Sequence, residues 1–146
     1  MKMHLIEPKT STQTTPTVLL IHPMLSSAEG MKTVLVSNMG DDLRYLIPDL
    51  AAHGEEDATE YTSASQEAAQ IHDWLLEHNI THLSLGFGAS LGGVVLSELL
   101  KFNDLAFDHL FFEGTSFWTG GFLASAMEFV LKKVFLAKHR KAIADP

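Results

Sequence analysis

A chain of 146 residues carrying 10 Lys+Arg against 18 Asp+Glu, a formal charge of -8, reads as one acidic domain. It contains no cysteine, which excludes disulfides, thiolate catalysis and cysteine-ligated metal clusters, and its 46% hydrophobic content excludes global disorder. The acidic balance argues against nucleic acid as a partner, since phosphate binding relies on clustered Lys and Arg.

The charge is uneven. Residues 1–131 hold only five basic side chains against 17 acidic ones, whereas the last 15 hold Lys132, Lys133, Lys138, Arg140 and Lys141 against Asp145 alone. Glu7, Pro8 and the Thr-rich stretch at 10–17 interrupt any signal-peptide core near the N-terminus. No apolar run approaches the 18 or so residues of a spanning helix, so membrane insertion is not expected and a cytoplasmic location is the default.

In chain order, 3–6 suggests a short first strand and 10–17 a loop closed by Pro16. Val18-Leu19-Leu20-Ile21 is a β-prone apolar run suited to a strand buried on both faces. Ser26 or Ser27 is placed to cap a helix over about 28–38. A strand is expected near 43–47, stopping at Pro48, then a surface loop through Glu60. Ala68, Ile71, Trp74, Leu75 and His78 recur at helical spacing and predict a helix over 63–78. A strand at 82–86, a helix at 91–100, a strand at 107–112 and a helix at 120–140 complete the reading. Strand and helix alternate from 18 to 112, which predicts an α/β fold of three layers, a mostly parallel sheet flanked by helices.

The chemically informative segment is Gly86-Phe87-Gly88-Ala89-Ser90-Leu91-Gly92-Gly93. Gly88-x-Ser90-x-Gly92 between a strand and a helix is the context of a nucleophile elbow: a sharp turn projects the serine hydroxyl, and strand and helix approach so closely that the flanking residues must be small. Gly88 and Gly92 meet that demand and Gly93 eases the helix against the sheet. The helix directs its positive end at Ser90, and the Leu91 N–H is a candidate oxyanion donor. Two other readings compete. A glycine-rich βα turn needs no catalytic role. A dinucleotide loop would need G-x-G-x-x-G and an acid some 20 residues on, but here the third glycine is one place late and Glu98, Asp104 and Asp108 are too close.

Around this segment the chain resembles the α/β-hydrolase family in three places across about residues 16–115. Val18 to Pro23 resembles the strand ending in His-Gly that begins the family's oxyanion loop. Tyr45 to Glu55 resembles its Pro-Asp-Leu…His-Gly stretch, and the elbow around Ser90 is the third match. The resemblance implies Ser90 as nucleophile, with Met24 and Leu91 as oxyanion-hole N–H donors and no cofactor or metal. Pro23 departs from the usual glycine, removing one N–H and stiffening the loop. His22 and His53 match loop histidines of the family, not its general base. Glu113 stands where some members place their acid, although an ordinary strand-end carboxylate is the better explanation of it. His72, His78 and His82 lack metal-ligand spacing and read as surface or boundary residues.

The resemblance also implies that the family's late acid and histidine are missing from a chain that carries only its N-terminal part, a truncated fold. Residues 1–115 would be that core and 116–146 the start of a helical cap, with Phe122, Phe129 and Phe135 among its apolar residues. An uncovered strand at 107–112 predicts a homo-oligomer closing the open sheet edge, with exchange of the C-terminal helix as one route. The function expected is carboxylic-ester (acyl) hydrolysis of a small-molecule substrate through Ser90, weak or absent in this chain alone. The alternative is a non-catalytic binding or assembly module built on the same half-fold.

Overall fold

The computed structural model describes residues 1–12 and 14–116. The helix expected over 120–140, the cap it was to begin and His139 lie outside the described residues. Within them, five strands form one sheet: β1 (Lys2–Ile6), β2 (Thr17–Ile21), β3 (Arg44–Asp49), β4 (His82–Ala89) and β5 (Ala106–Glu113). Their spatial order is β1-β3-β2-β4-β5, with β3, β2, β4 and β5 parallel and β1 antiparallel on β3. Three α-helices accompany them: α1 (Ala28–Val34), α2 (Ala64–Glu77) and α3 (Leu91–Leu99).

Alternation along the strands divides two apolar layers, as the pleat requires. Leu19, Ile21 and Leu46 pack with Ile71 and Leu75 of α2 and Val95, Leu96 and Leu99 of α3. Val18, Leu20, Tyr45, Ile47 and Phe87 pack on the other face with Ala28 and Met31 of α1. Every residue of β2 is buried, in keeping with its unbroken apolar run. The predicted α/β sheet with helices on both faces is the architecture found.

Local chemistry explains the boundaries. Ser27 caps α1 by accepting the Gly30 N–H at 3.4 Å, and Ser63 caps α2 by accepting that of Gln66 at 3.2 Å. The single helix expected over 28–38 is instead α1 followed by a 3-10 turn at Val36–Asn38. There the Ser37 hydroxyl donates to the Thr33 carbonyl and Asn38 Nδ2 to that of Val34, local bonds that compete with the helical ladder. β3 runs through Pro48 to Asp49, past the expected stop. Its pairing with β2 ends at Leu46, so the missing proline N–H removes no rung on that side. β4 likewise extends beyond 86, through Gly88, which pairs with Ile21.

One expectation about histidines needs correcting. His72 is buried, 8% exposed, because its ring stacks on Phe102 at 3.9 Å and Nε2 lies 2.8 Å from Asp104. A polar ring can be buried when its nitrogen is bonded and its face is covered.

Candidate active site

β4 ends at Ala89, Ser90 turns the chain, and α3 starts at Leu91. Ser90 has φ 48° and ψ -110°, a positive φ that costs an L-residue on the order of 1–3 kcal/mol. Three consecutive parallel strands are followed by such residues: Leu25 (φ 65°) after β2, Ala52 (φ 65°) after β3, and Ser90 after β4. These are three of the four non-glycine residues with positive φ among the described ones, the fourth being Asn79 before β4, and they share the carboxyl edge of the sheet, where open α/β sheets bind ligands. Ser90 is exposed there.

The glycines are dictated by crowding. A Cβ on Gly88 would lie 2.6 Å from the Gly92 carbonyl oxygen and from the Gly93 Cα. On Gly92 it would collide with the Ile21 carbonyl and lie 2.7 Å from that of His22, and on Gly93 it would strike the Thr115 hydroxyl. The elbow thus presses against the end of β2 on one side and the segment after β5 on the other. The Ser90 carbonyl accepts the Gly93 and Val94 N–H groups at 3.1 and 3.3 Å, beginning α3. The Leu91 N–H, first of that helix, has no carbonyl one turn back within it. Facing the elbow across the β2–β4 pairing comes the loop carrying Met24, whose side chain is half-exposed.

His22 is fully buried and is a structural group. Its Nε2 accepts the Leu50 N–H at 3.1 Å and its Nδ1 lies 2.9 Å from the Pro23 carbonyl. That pair of bonds requires the neutral ring with the proton on Nδ1. Burial holds its pKa below the ordinary histidine value, with the nearby His53 ring, 5.1 Å away, acting in the same direction. His53 Nδ1 is bonded to the Ala51 carbonyl, His78 Nδ1 to that of Trp74, and His82 Nε2 to Asp108. Among the described residues, no histidine is hydrogen-bonded to the Ser90 hydroxyl.

Glu113 pairs in register with Ala89, and its carbonyl accepts the Ser90 N–H at 2.8 Å. Its contact with the elbow is through the main chain, and its carboxylate has no described hydrogen bond to a histidine.

Sequence reasoning matched Pro48-Asp49 only as a motif and missed what Asp49 does. Only 2% exposed, the carboxylate accepts N–H groups from Ala28 at 2.7 Å and Glu55 at 3.0 Å, and lies 2.9 Å from His4 Nε2. Burial pushes its pKa up, but those two backbone donors and His4 outweigh it and leave the value lowered. Gly54, at φ +55°, passes so close that any Cβ would collide with this carboxylate. The signal was an acid at a strand end followed five residues later by glycine. Nearby, Glu67 is 1% exposed; burial raises its pKa, against the Ala51 N–H that it accepts at 3.2 Å.

His4, Asp49 and Glu55 bring three ligand-type atoms within 4.8 Å of one another, yet both Asp49 oxygens are already spent on backbone donors. A cleft of about 290 Å³ lined by Thr17, Arg44, Asn79, His82 and Ser84 opens at the amino ends of the strands, away from Ser90. Arg44 within it is bonded to Glu7, Ser11 and Thr17. No described helix is long and apolar enough to cross a membrane.

No family model and no curated protein sequence matches the chain. Solved structures do. A protein from Desulfitobacterium hafniense described as of the α/β-hydrolase family superposes with a TM-score of 0.79 at 21% identity, over 93% of this chain and 53% of its own. The N-acyl homoserine lactonase AidH, solved with N-butanoyl homoserine, gives 0.61 at 23% identity over 77% of this chain and 40% of its own. The esterase EaEST from Exiguobacterium antarcticum gives 0.56 at 19% identity, over 77% and 40%. The chain thus spans about half the length of the structures it resembles. With the parallel order β3-β2-β4-β5, the antiparallel β1 and the strained turn after β4, it has the α/β-hydrolase fold, over the part of that fold that the matched structures share with it.

Proposed function

We propose that the chain is the nucleophile-bearing part of a serine hydrolase that cleaves small carboxylic esters or related acyl compounds. Ser90 Oγ would attack the acyl carbonyl, expel the alcohol and form an acyl-enzyme that water then hydrolyses. The oxyanion would be met by the Leu91 and Met24 N–H groups, with the α3 N-terminus favouring its charge. The observation that carries this reading is the backbone of Ser90: a costly positive φ at an exposed serine, held by three glycines that tolerate no Cβ. The lactonase and esterase among the structural relatives act on acyl compounds, which supports an ester-like substrate.

Glu113 would supply the acid only by turning its carboxylate towards the base, since its described contact with the elbow is through the backbone. The base that accepts the serine proton would need a free ring nitrogen or carboxylate oxygen within hydrogen-bond reach of the Ser90 hydroxyl. A fluorophosphonate probe tests the whole reading. Labelling confined to Ser90 and abolished by Ser90→Ala supports it; a folded chain that takes no label is the non-catalytic module instead.

A further inference from the structure

The loop that carries Met24 leaves β2 at His22 and enters α1 at Ala28, and its two ends are fastened to consecutive residues, Leu50 and Asp49, at the end of β3. Leu50, just past the strand, donates its N–H to His22 Nε2 at 3.1 Å. Asp49, the last residue of the strand, accepts the Ala28 N–H at 2.7 Å. Between the two anchors the loop makes one tight turn, the Ser26 N–H donating to the Pro23 carbonyl at 3.2 Å, with Leu25 at φ 65° inside it. A five-residue loop with both ends tied to one strand end cannot pivot independently of the sheet.

Asp49 is not simply a helix cap. Ser27 already fills that role for α1 through the Gly30 N–H. Asp49 reaches the first helical residue across 21 positions of sequence, and its second oxygen is steadied by Glu55 and His4. It is therefore a fixed post, held by three groups from three segments, against which the loop is set.

Resting on the reading of Ser90 as nucleophile, we infer that Asp49 is a positioning residue of the oxyanion hole: by holding the Ala28 end of the loop it fixes the direction of the Met24 N–H relative to Ser90. It touches no reacting atom and acts only through the loop. An oxyanion donor is useful only when aimed before the reaction, since swinging it into place then costs the stabilisation it offers.

The test compares the unaltered chain with Asp49→Ala and Asp49→Asn, reading amide hydrogen exchange residue by residue and the rate of Ser90 phosphonylation. Asp49→Ala should raise exchange by about tenfold or more at 24–28 and 54–55, leaving β2 and β4 protected, and should slow phosphonylation by about tenfold or more without weakening probe binding. Asp49→Asn keeps an oxygen for the Ala28 N–H and should regain most of both losses. Should Asp49→Ala not fold, Asp49→Asn alone must still show a smaller rise confined to the same segments. Unchanged exchange at 24–28 overturns the inference, as does a native labelling rate in a loosened loop. A native chain that takes no label overturns the nucleophile reading and with it any catalytic role for Asp49; the exchange pattern then decides the mechanical tie by itself.

Discussion

The backbone N–H of Ser90 donates to the carbonyl of Glu113 at 2.8 Å, tying the strained turn at the end of β4 to the end of the neighbouring strand. The turn is therefore braced from outside its own βα unit, and its conformation is a property of the sheet edge. Such bracing is how a residue in a disfavoured backbone region persists.

The closest brace is the contact between Gly92 and β2. A methyl group at Gly92 would meet the Ile21 and His22 carbonyls, main-chain atoms that cannot rotate away. Gly92→Ala should lose roughly 1–3 kcal/mol of stability, with a fall of several degrees in the thermal midpoint measured by circular dichroism. A variant as stable as its parent would mean that α3 stands farther from β2 than described.

Acid should weaken the fold through His22. Its folded pKa lies below the ordinary value of about 6.5, so on acidification the unfolded chain takes up the proton first. Stability present above about pH 6.5 is then lost as pH falls towards the folded value, at no more than about 1.4 kcal/mol per pH unit for one group. Glu67, with its raised pKa, works in the opposite direction: its neutral form suits burial, so stability is lost as pH rises through its folded value. Asp49, with its lowered value, adds a loss only at more acidic pH. Urea midpoints at pH 7.5 and 5.5 should fall more for the unaltered chain than for His22→Gln. Equal falls would show that His22 is not buried in its neutral form.

β5 is the edge strand of the described sheet, and Leu110 and Phe111 on it are 42% and 57% exposed. An edge strand that carries exposed apolar side chains invites another strand. We propose that a second copy of the chain covers it. Light scattering of the unaltered chain should then report a mass above 16.1 kDa, and Phe111→Lys should move it towards the monomer. A monodisperse monomer at tens of micromolar would remove this reading.

Much of the fold was legible because it rests on local chemistry. The continuous run Val18–Ile21 suited a strand covered on both faces, and of the two serines offered as a cap for the first helix, Ser27 is the one bonded to it. The elbow was legible because two glycines flanking a serine have few other reasons to follow a strand, and the turn has the strained backbone that the motif requires. What sequence could not yield were relationships across long separations. Asp49 meets Ala28 across 21 positions, and His72 meets Asp104 across 32. Each is an ordinary residue until the chain folds. Pro48 misled for a related reason: a proline ends a strand only where its missing N–H faces a partner, and partner registers are not written in the local sequence.

The three non-glycine residues with positive φ on the carboxyl edge have a consequence for anyone seeking a hardier version of this protein. A domain's net stability is about 5–15 kcal/mol, and each such residue holds back on the order of 1–3 of it. Glycine at Leu25 or Ala52 would relax the backbone at that point, while giving the unfolded chain more freedom and the loops more latitude. Heat tolerance gained at those two positions would therefore come from the same edge that keeps Ser90 aimed.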